Sequence, residues 1–316
     1  MTRFERALVT GGAGFVGSHL CEELVRSGTA VCCMDNGSTG TPANVQALRD
    51  SPLFEYVDHD VSEPFPDVGS VDVVFHLASP ASPVDYQRLP VQTLLAGSHG
   101  TKNGLDLAVA QEARFLLAST SEVYGDPLEH PQRESYWGNV NPVGPRSVYD
   151  EAKRYAEALC AAYGRAGLCD IAIARIFNTY GPRMRDADGR MIPTFLGQAL
   201  RGEPITVAGT GRQTRSICFV TDTVAGLCAL AESRERGPVN IGNPEEMTVL
   251  SVAERILDLT GSRSPIVHIP AAQDDPQQRC PDITRARSAL GWAPRVGADE
   301  GLRRTVRWVT ERSAAA

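Results

Sequence analysis

Val9-Thr10-Gly11-Gly12-Ala13-Gly14-Phe15-Val16-Gly17 is the stretch from which the fold can be read. Gly11, Gly14 and Gly17 give a GxxGxxG spacing between an apolar run, Arg6–Val9, expected as a strand, and an amphipathic segment, Phe15–Ser27, expected as a helix. Each glycine then serves a separate purpose. Gly11 permits the tight turn, Gly14 lets a pyrophosphate reach the backbone, and Gly17 lets helix and strand pack closely. The helix start at Phe15 and Val16 adds free N–H groups and a positive dipole end. Asp35 stands eighteen residues after Gly17, at the end of the next strand, Ala30–Met34, with Asn36 beside it. A carboxylate there accepts hydrogen bonds from ribose hydroxyls and repels a 2′-phosphate, so the expected cofactor is NAD rather than NADP.

Strand and helix patterns continue to alternate down the chain. Strands are expected at Phe54–Val57, Val71–Leu77, Arg114–Ala118 and Asp170–Ile176, and helices at Pro90–Gln111 and Tyr149–Tyr163. The strand runs are apolar throughout instead of alternating, as in a parallel sheet covered on both faces. The fold class is therefore α/β, a Rossmann-type doubly wound parallel sheet. After Gly181, Gly and Pro punctuate shorter pieces, with helices expected at Pro193–Arg201, Val220–Ala231, Leu250–Thr260 and Glu300–Thr310. We read residues 1–180 as the NAD-binding domain and 181–316 mainly as a smaller α+β substrate lobe, the chain crossing back to the first domain around 212–235. Two loops fall at the sheet edge that faces the cofactor. In His59-Asp60-Val61, Asp60 and Val61 can meet the adenine; in His76-Leu77-Ala78-Ser79, Leu77, Ala78 and Ser79 can line the dinucleotide. His76 itself reads as a structural histidine.

The 316 residues are 42% hydrophobic and 22% charged with a net charge of −7, which describes an ordinary globular chain. No Lys/Arg cluster points to nucleic acid or an anionic membrane, and no apolar run approaches the ~20 residues that span a bilayer. The apolar start Ala7-Leu8-Val9 enters the glycine turn directly, so no secretory leader is expected. Eight cysteines show no CxxC pair and no histidine at zinc spacing. They are expected to be reduced, buried small hydrophobes of a cytoplasmic protein, with no metal site.

Tyr149 and Lys153 stand four apart, on one face of the expected helix. A phenol has a pKa near ~10 and is a poor base until positive charge nearby favours its phenolate. So placed, Tyr149 could take the proton of a sugar hydroxyl while the carbon gives up hydride. The strand before it ends Ser119-Thr120-Ser121-Glu122, which brings two hydroxyls, Thr120 and Ser121, and the carboxylate of Glu122 toward the same place.

Longer strings carry a resemblance. His76-Leu77-Ala78-Ser79-Pro80-Ala81-Ser82-Pro83, Ser119-Thr120-Ser121-Glu122-Val123-Tyr124-Gly125-Asp126-Pro127, Gly144-Pro145-Arg146-Ser147-Val148-Tyr149-Asp150-Glu151, Arg175-Ile176-Phe177-Asn178-Thr179-Tyr180-Gly181-Pro182-Arg183-Met184 and Gln273-Asp274-Asp275-Pro276-Gln277 are similar to UDP-glucuronate decarboxylases (UDP-xylose synthases), within the extended short-chain dehydrogenase/reductases. The resemblance runs from about Arg6 to the last helix. It implies NAD-dependent oxidation at C4 of UDP-glucuronate, loss of CO₂ and re-reduction to UDP-xylose, with some UDP-4-keto-pentose released. It also implies substrate contacts from Tyr86, Glu122, Asn178, Arg215 and Arg279. Glu122 would either disfavour the neighbouring carboxylate or serve C5 protonation through water. A homodimer through Pro90–Gln111 and Tyr149–Tyr163 is expected on the same ground.

Three departures from the family pattern stand out. Gly97 replaces an Asn, Arg279-Cys280-Pro281-Asp282 replaces an Arg-Lys-Pro-Asp string, and Arg185 stands where decarboxylases commonly have His. Arg185 resembles UDP-glucuronate 4-epimerases, in which an arginine clamp on the carboxylate would suppress CO₂ loss. The alternative reading is thus 4-epimerisation to UDP-galacturonate; a more distant one is a nucleotide-binding protein without turnover.

Overall fold

The computed structural model describes residues 4–270 and 278–315; the Gln273–Gln277 string lies outside them. Its centre is a seven-stranded sheet built from β1 (Arg6–Thr10), β2 (Ala30–Asp35), β3 (Phe54–Asp58), β4 (Val73–His76), β5 (Arg114–Thr120), β6 (Asp170–Ile176) and a strand from the second half, β11 (Val239–Ile241). The order is β11-β6-β5-β4-β1-β2-β3 and every pairing is parallel. Side chains alternate across it. Ala7, Val9, Val31, Cys33 and Phe75 face one core, and Leu8, Cys32, Met34, Val74 and Phe115 face the other. Both cores are apolar, so each strand reads as an uninterrupted apolar run. Adjacent Cys32 and Cys33 part to opposite faces, and all eight cysteines are free thiols.

The first face is covered by α1 (Phe15–Arg26) and α7 (Val220–Glu232), the second by α4 (Thr101–Ala110) and α5 (Ser147–Arg165). The long helix expected at Pro90–Gln111 is not continuous. It runs as α3 (Pro90–Leu95), a π turn at Ala96–Gly100, then α4. The cause is close packing: a Cβ on Gly97 would sit 2.8 Å from both Cβ and O of Ala152, and one on Gly100 would sit 2.8 Å from Val61 Cγ2. Two glycines let the chain pass α5 and the β3–β4 loop closely at the π turn.

The remaining elements pack around this sheet and its helices. A short helix, α2 (Pro83–Arg88), precedes α3, and β7 (Thr179–Tyr180) follows β6. Beyond them come α6 (Met191–Arg201), the parallel pair β8 (Ile205–Ala208) and β13 (Ile266–Ile269), and the antiparallel pair β9 (Thr214–Ser216) and β12 (Glu246–Thr248). The strand β10 (Cys218–Phe219) pairs with β7, and α8 (Val249–Thr260) packs on α6. Two more helices, α9 (Thr284–Leu290) and α10 (Ala298–Ala315), end the described chain.

Candidate active site

The carboxyl ends of the parallel strands open onto two adjoining cavities. The smaller, about 180 Å³, is lined by the glycine turn (Gly11, Gly14, Phe15, Val16, Gly17), by Asp35 and Asn36, by Asp60 and Val61, and by Leu77, Ala78 and Ser79. The larger, about 740 Å³, is lined by Thr120, Ser121, Glu122, Tyr149 and Lys153 and also by Tyr86, Asn178, Arg215 and Arg279. Val16, Leu77, Ser79, Ala81 and Arg190 line both, so the two form one cleft. Such a volume suits a ligand of nucleotide-sugar size.

The glycine turn has the shape of a dinucleotide cradle. A Cβ on Gly17 would stand 2.1 Å from Gly11 O, and one on Gly11 would stand 2.7 Å from Ala78 N, so no side chain can enter between helix and strand. Gly14 begins α1 with no side-chain cap, leaving the helix start open to an anion. Asp35 Oδ2 accepts from Ala13 N at 3.0 Å and Oδ1 from Gly37 N at 2.9 Å, which aims the carboxylate at the turn. Burial raises its pKa, and those backbone donors oppose the rise. These residues fit NAD. Asp60 is used locally, accepting from Ser62 N and Oγ and from Asn36 Nδ2, the last at 3.0 Å. His76 is buried, shares a 2.8 Å hydrogen bond with Thr10 Oγ1, and burial drives its pKa down to about 3, a structural role.

In the larger cavity Tyr149 is buried, and its ring stacks on Tyr86, with centroids 5.5 Å apart and planes 9° from parallel. Burial raises the phenol pKa well above the ordinary value, with the Thr120 hydroxyl hydrogen bond opposing it. The ammonium expected to depress it is turned partly aside: Lys153 Nζ lies 5.8 Å from the Tyr149 ring centroid and donates to Ala118 O at 2.8 Å. Burial brings Lys153 down to about 8.

Glu122 sits between two arginines that come from distant parts of the chain. Arg146 Nη2 donates to Oε2 at 2.7 Å and Arg279 Nη1 to Oε1 at 2.6 Å. Burial alone would raise the Glu122 pKa, but Arg279 and then Arg146 outweigh it and hold the carboxyl well below the ordinary range. Arg279 is buried, and among the described residues its Nε and Nη2 have no hydrogen-bond partner, leaving donors for a ligand. Asp150, one residue beyond Tyr149, is buried beside this cluster with Oδ1 unpartnered among the described residues. Burial, then the Glu122 charge, pushes it up to about 7.

Arg185 lies elsewhere than the epimerase reading requires. It pairs with Asp85, itself held by Ser82 Oγ at 2.7 Å, and lines the smaller cavity but not the larger. Sequence reasoning gave no role to Arg146, Asp150 or Arg190, although the first two flank Tyr149 closely in the chain. Arg190 is held by Asp188 and faces Tyr149. Nothing in the spacing of a lone arginine says which carboxylate it meets.

A sequence profile of the NAD dependent epimerase/dehydratase family matches residues 7–242, and the chain belongs to that family. Within it, the chain is 51% identical over 304 residues to UDP-glucuronic acid decarboxylase 1 of Danio rerio, covering 96% of this chain and 72% of that one. It is 52% identical over 298 residues to UDP-glucuronic acid decarboxylase 6 of Arabidopsis thaliana, covering 94% and 86% respectively. Among solved structures, UDP-glucuronic acid 4-epimerase from Bacillus cereus, in complex with UDP-glucuronic acid and NAD, superposes with a TM-score of 0.87 at 27% identity, covering 97% of this chain and 99% of that one.

Proposed function

We propose that this protein is an NAD-dependent UDP-glucuronate decarboxylase that forms UDP-xylose. The observation that carries the reading is the convergence, in one cavity, of Tyr149, Thr120 and Lys153 with Glu122 held between Arg146 and Arg279. The relatives at about half identity support it.

The smaller cavity holds NAD through the glycine turn and Asp35. Bound NAD⁺ supplies the acceptor for the C4 hydride and the store from which it is returned. Tyr149 takes the proton of the sugar C4 hydroxyl, and Lys153, fixed on Ala118, supplies positive charge toward its phenolate. The resulting ketone stands β to the carboxylate carbon, so the electrons of the breaking C–C bond can pass into it as CO₂ departs. Tyr149 and Thr120 donate hydrogen bonds to the oxygen on which charge gathers. Asn178, Arg215 and the unpartnered donors of Arg279 take the diphosphate and carboxylate, where a planar guanidinium suits both. Glu122 acts as a charge that disfavours the substrate carboxylate. Its two arginines keep it ionised, so the proton-donor role raised from the sequence passes to another group.

Four-epimerisation retains the carboxylate, and the arginine that suggested it is committed to Asp85. Incubation with carboxyl-labelled UDP-glucuronate and NAD⁺ separates the readings. Labelled CO₂ with UDP-xylose is expected, labelled UDP-galacturonate would establish the epimerase, and no turnover would leave only nucleotide binding.

A homodimer belongs to the same proposal. Val91 and Leu94 on α3 and Tyr155 on α5 are exposed on the two helices expected to pair. Sedimentation should give twice the chain mass, and a monomer at micromolar concentration would refute the pairing. The eight free thiols support a reducing, cytoplasmic setting. Among the described residues no helix is long and apolar enough to cross a membrane.

A further inference from the structure

Outside the cleft, three side chains from distant parts of the chain converge. His130 lies in the loop after β5, Glu246 begins β12, and Cys280 follows Arg279. One ligand atom of each, a ring nitrogen, a carboxylate oxygen and a sulfur, lie within 4.8 Å of one another. His130 Nε2 and Glu246 Oε2 are 2.9 Å apart, and Glu246 Oε1 accepts from Thr214 Oγ1 at 2.6 Å, which orients the carboxylate.

The three segments are tied down independently of this cluster. Gln132 N donates to Cys280 O at 2.8 Å, and Cys280 N donates to Gln132 Oε1 at 2.7 Å. Glu246 is registered opposite Ser216 in the β9–β12 pair. Cys280 Sγ donates to Pro244 O at 3.4 Å, which fixes the sulfur at the base of the cluster. Cys280 is buried at the base, while His130 and Glu246 reach the surface, so the cluster is open to solvent on one side.

We propose that His130, Glu246 and Cys280 form a binding site for a divalent transition cation of the zinc class, with three protein ligands and a fourth position open to water. The donor set selects the ion. Thiolate and imidazole together disfavour magnesium and calcium and suit zinc or cobalt, while one carboxylate is common to both groups. Zinc–ligand distances of about 2.0–2.3 Å require only that the three atoms close on a shared centre. Binding forms one metal–sulfur, one metal–nitrogen and one metal–oxygen bond and releases the thiol proton to solvent; no electron is transferred. An ion there fastens the segment that also carries Arg279, whose guanidinium holds Glu122. An ion there would depart from the expectation of no metal, which rested on ligand spacing in sequence, whereas these ligands are brought together by folding.

The full-length chain, stripped with a chelator and kept reduced, is titrated with Co²⁺ and then Zn²⁺. One Co²⁺ per chain is expected, with a near-ultraviolet thiolate-to-cobalt absorption band that Zn²⁺ bleaches. Cys280→Ser should abolish the band, and His130→Gln and Glu246→Gln should each weaken binding by about tenfold or more. The last two positions are on the surface, so those variants report even if Cys280→Ser folds poorly; circular dichroism checks each. Absence of stoichiometric Co²⁺ binding, a band that survives Cys280→Ser, or unchanged affinity in both surface variants would overturn the site.

Discussion

Tyr149 has two neighbours that pull on it in different ways. Tyr86 closes one ring face, and Thr120 holds the hydroxyl. Burial makes the phenol reluctant to ionise, so its use as a base depends on positive charge brought to the cleft with the cofactor. Tyr149→Phe keeps the ring stack and removes only the hydroxyl. We predict a loss of about 10³-fold or more in CO₂ release with NAD binding retained, measured by turnover and by calorimetric titration. Asp150 offers a second test. Its folded-state pKa, near 7, lies above the ordinary carboxyl value, so folding favours the protonated form. That contribution is complete at low pH and fades as pH rises toward 7. Glu122 has the opposite sign, and because its pKa is depressed its contribution changes only in more acidic solution. Buried His76, held near 3, changes with the opposite sign over the same range, so the readout is the difference: between about pH 5 and pH 8 in urea unfolding, wild type should lose about 2 kcal/mol relative to Asp150→Asn. Equal slopes would mean that Asp150 titrates normally.

Helix α5 carries Tyr149, Asp150 and Lys153, and its position against the sheet is set partly by what it passes. The closest passage is at Gly97, where an added Cβ would meet Ala152 at 2.8 Å. Gly97→Asn should cost about 1–3 kcal/mol and lower turnover by displacing α5. Ala152→Gly in the same chain removes the Cβ contact but leaves the Ala152 carbonyl in place, so it should recover only part of both, a coupling of at least about 0.5 kcal/mol in a double-mutant cycle. Additive effects would show that the two helices yield independently. The same passage explains what could and could not be read in advance. The strands were readable because a sheet covered on both faces demands uninterrupted apolar runs. The Tyr149–Lys153 spacing was readable because helical geometry is local. The π turn was not, since the reason for Gly97 stands on another helix. Neither were the partners of Glu122, one of which lies 157 positions away, nor the convergence of His130 with Cys280. The short pairs β8–β13 and β9–β12 carry too few residues for a period to register.

Taken together, the two cavities form one cleft at the carboxyl ends of the parallel strands, walled in part by residues from the second half of the chain. Arg279 and Arg215 come from the second half of the chain, whereas Tyr149 and Glu122 come from the first half, so neither half holds the whole cavity. Ligand that contacts both should stabilise the fold by mass action. UDP added at about 100 times its Kd, after NAD, should contribute about 2.7 kcal/mol beyond the cofactor alone. An unchanged melting temperature would argue that the nucleotide does not bind the folded cleft.

The outermost strand on one side, β11, is supplied by residues 239–241, long after its neighbour β6 at 170–176. During synthesis the growing chain must therefore hold the hydrogen-bonding groups of β6 uncovered until roughly sixty further residues have emerged. A product truncated at Gly181 should for this reason precipitate or recruit chaperones, even though it retains the entire glycine turn, and supplying the missing portion in trans should rescue it.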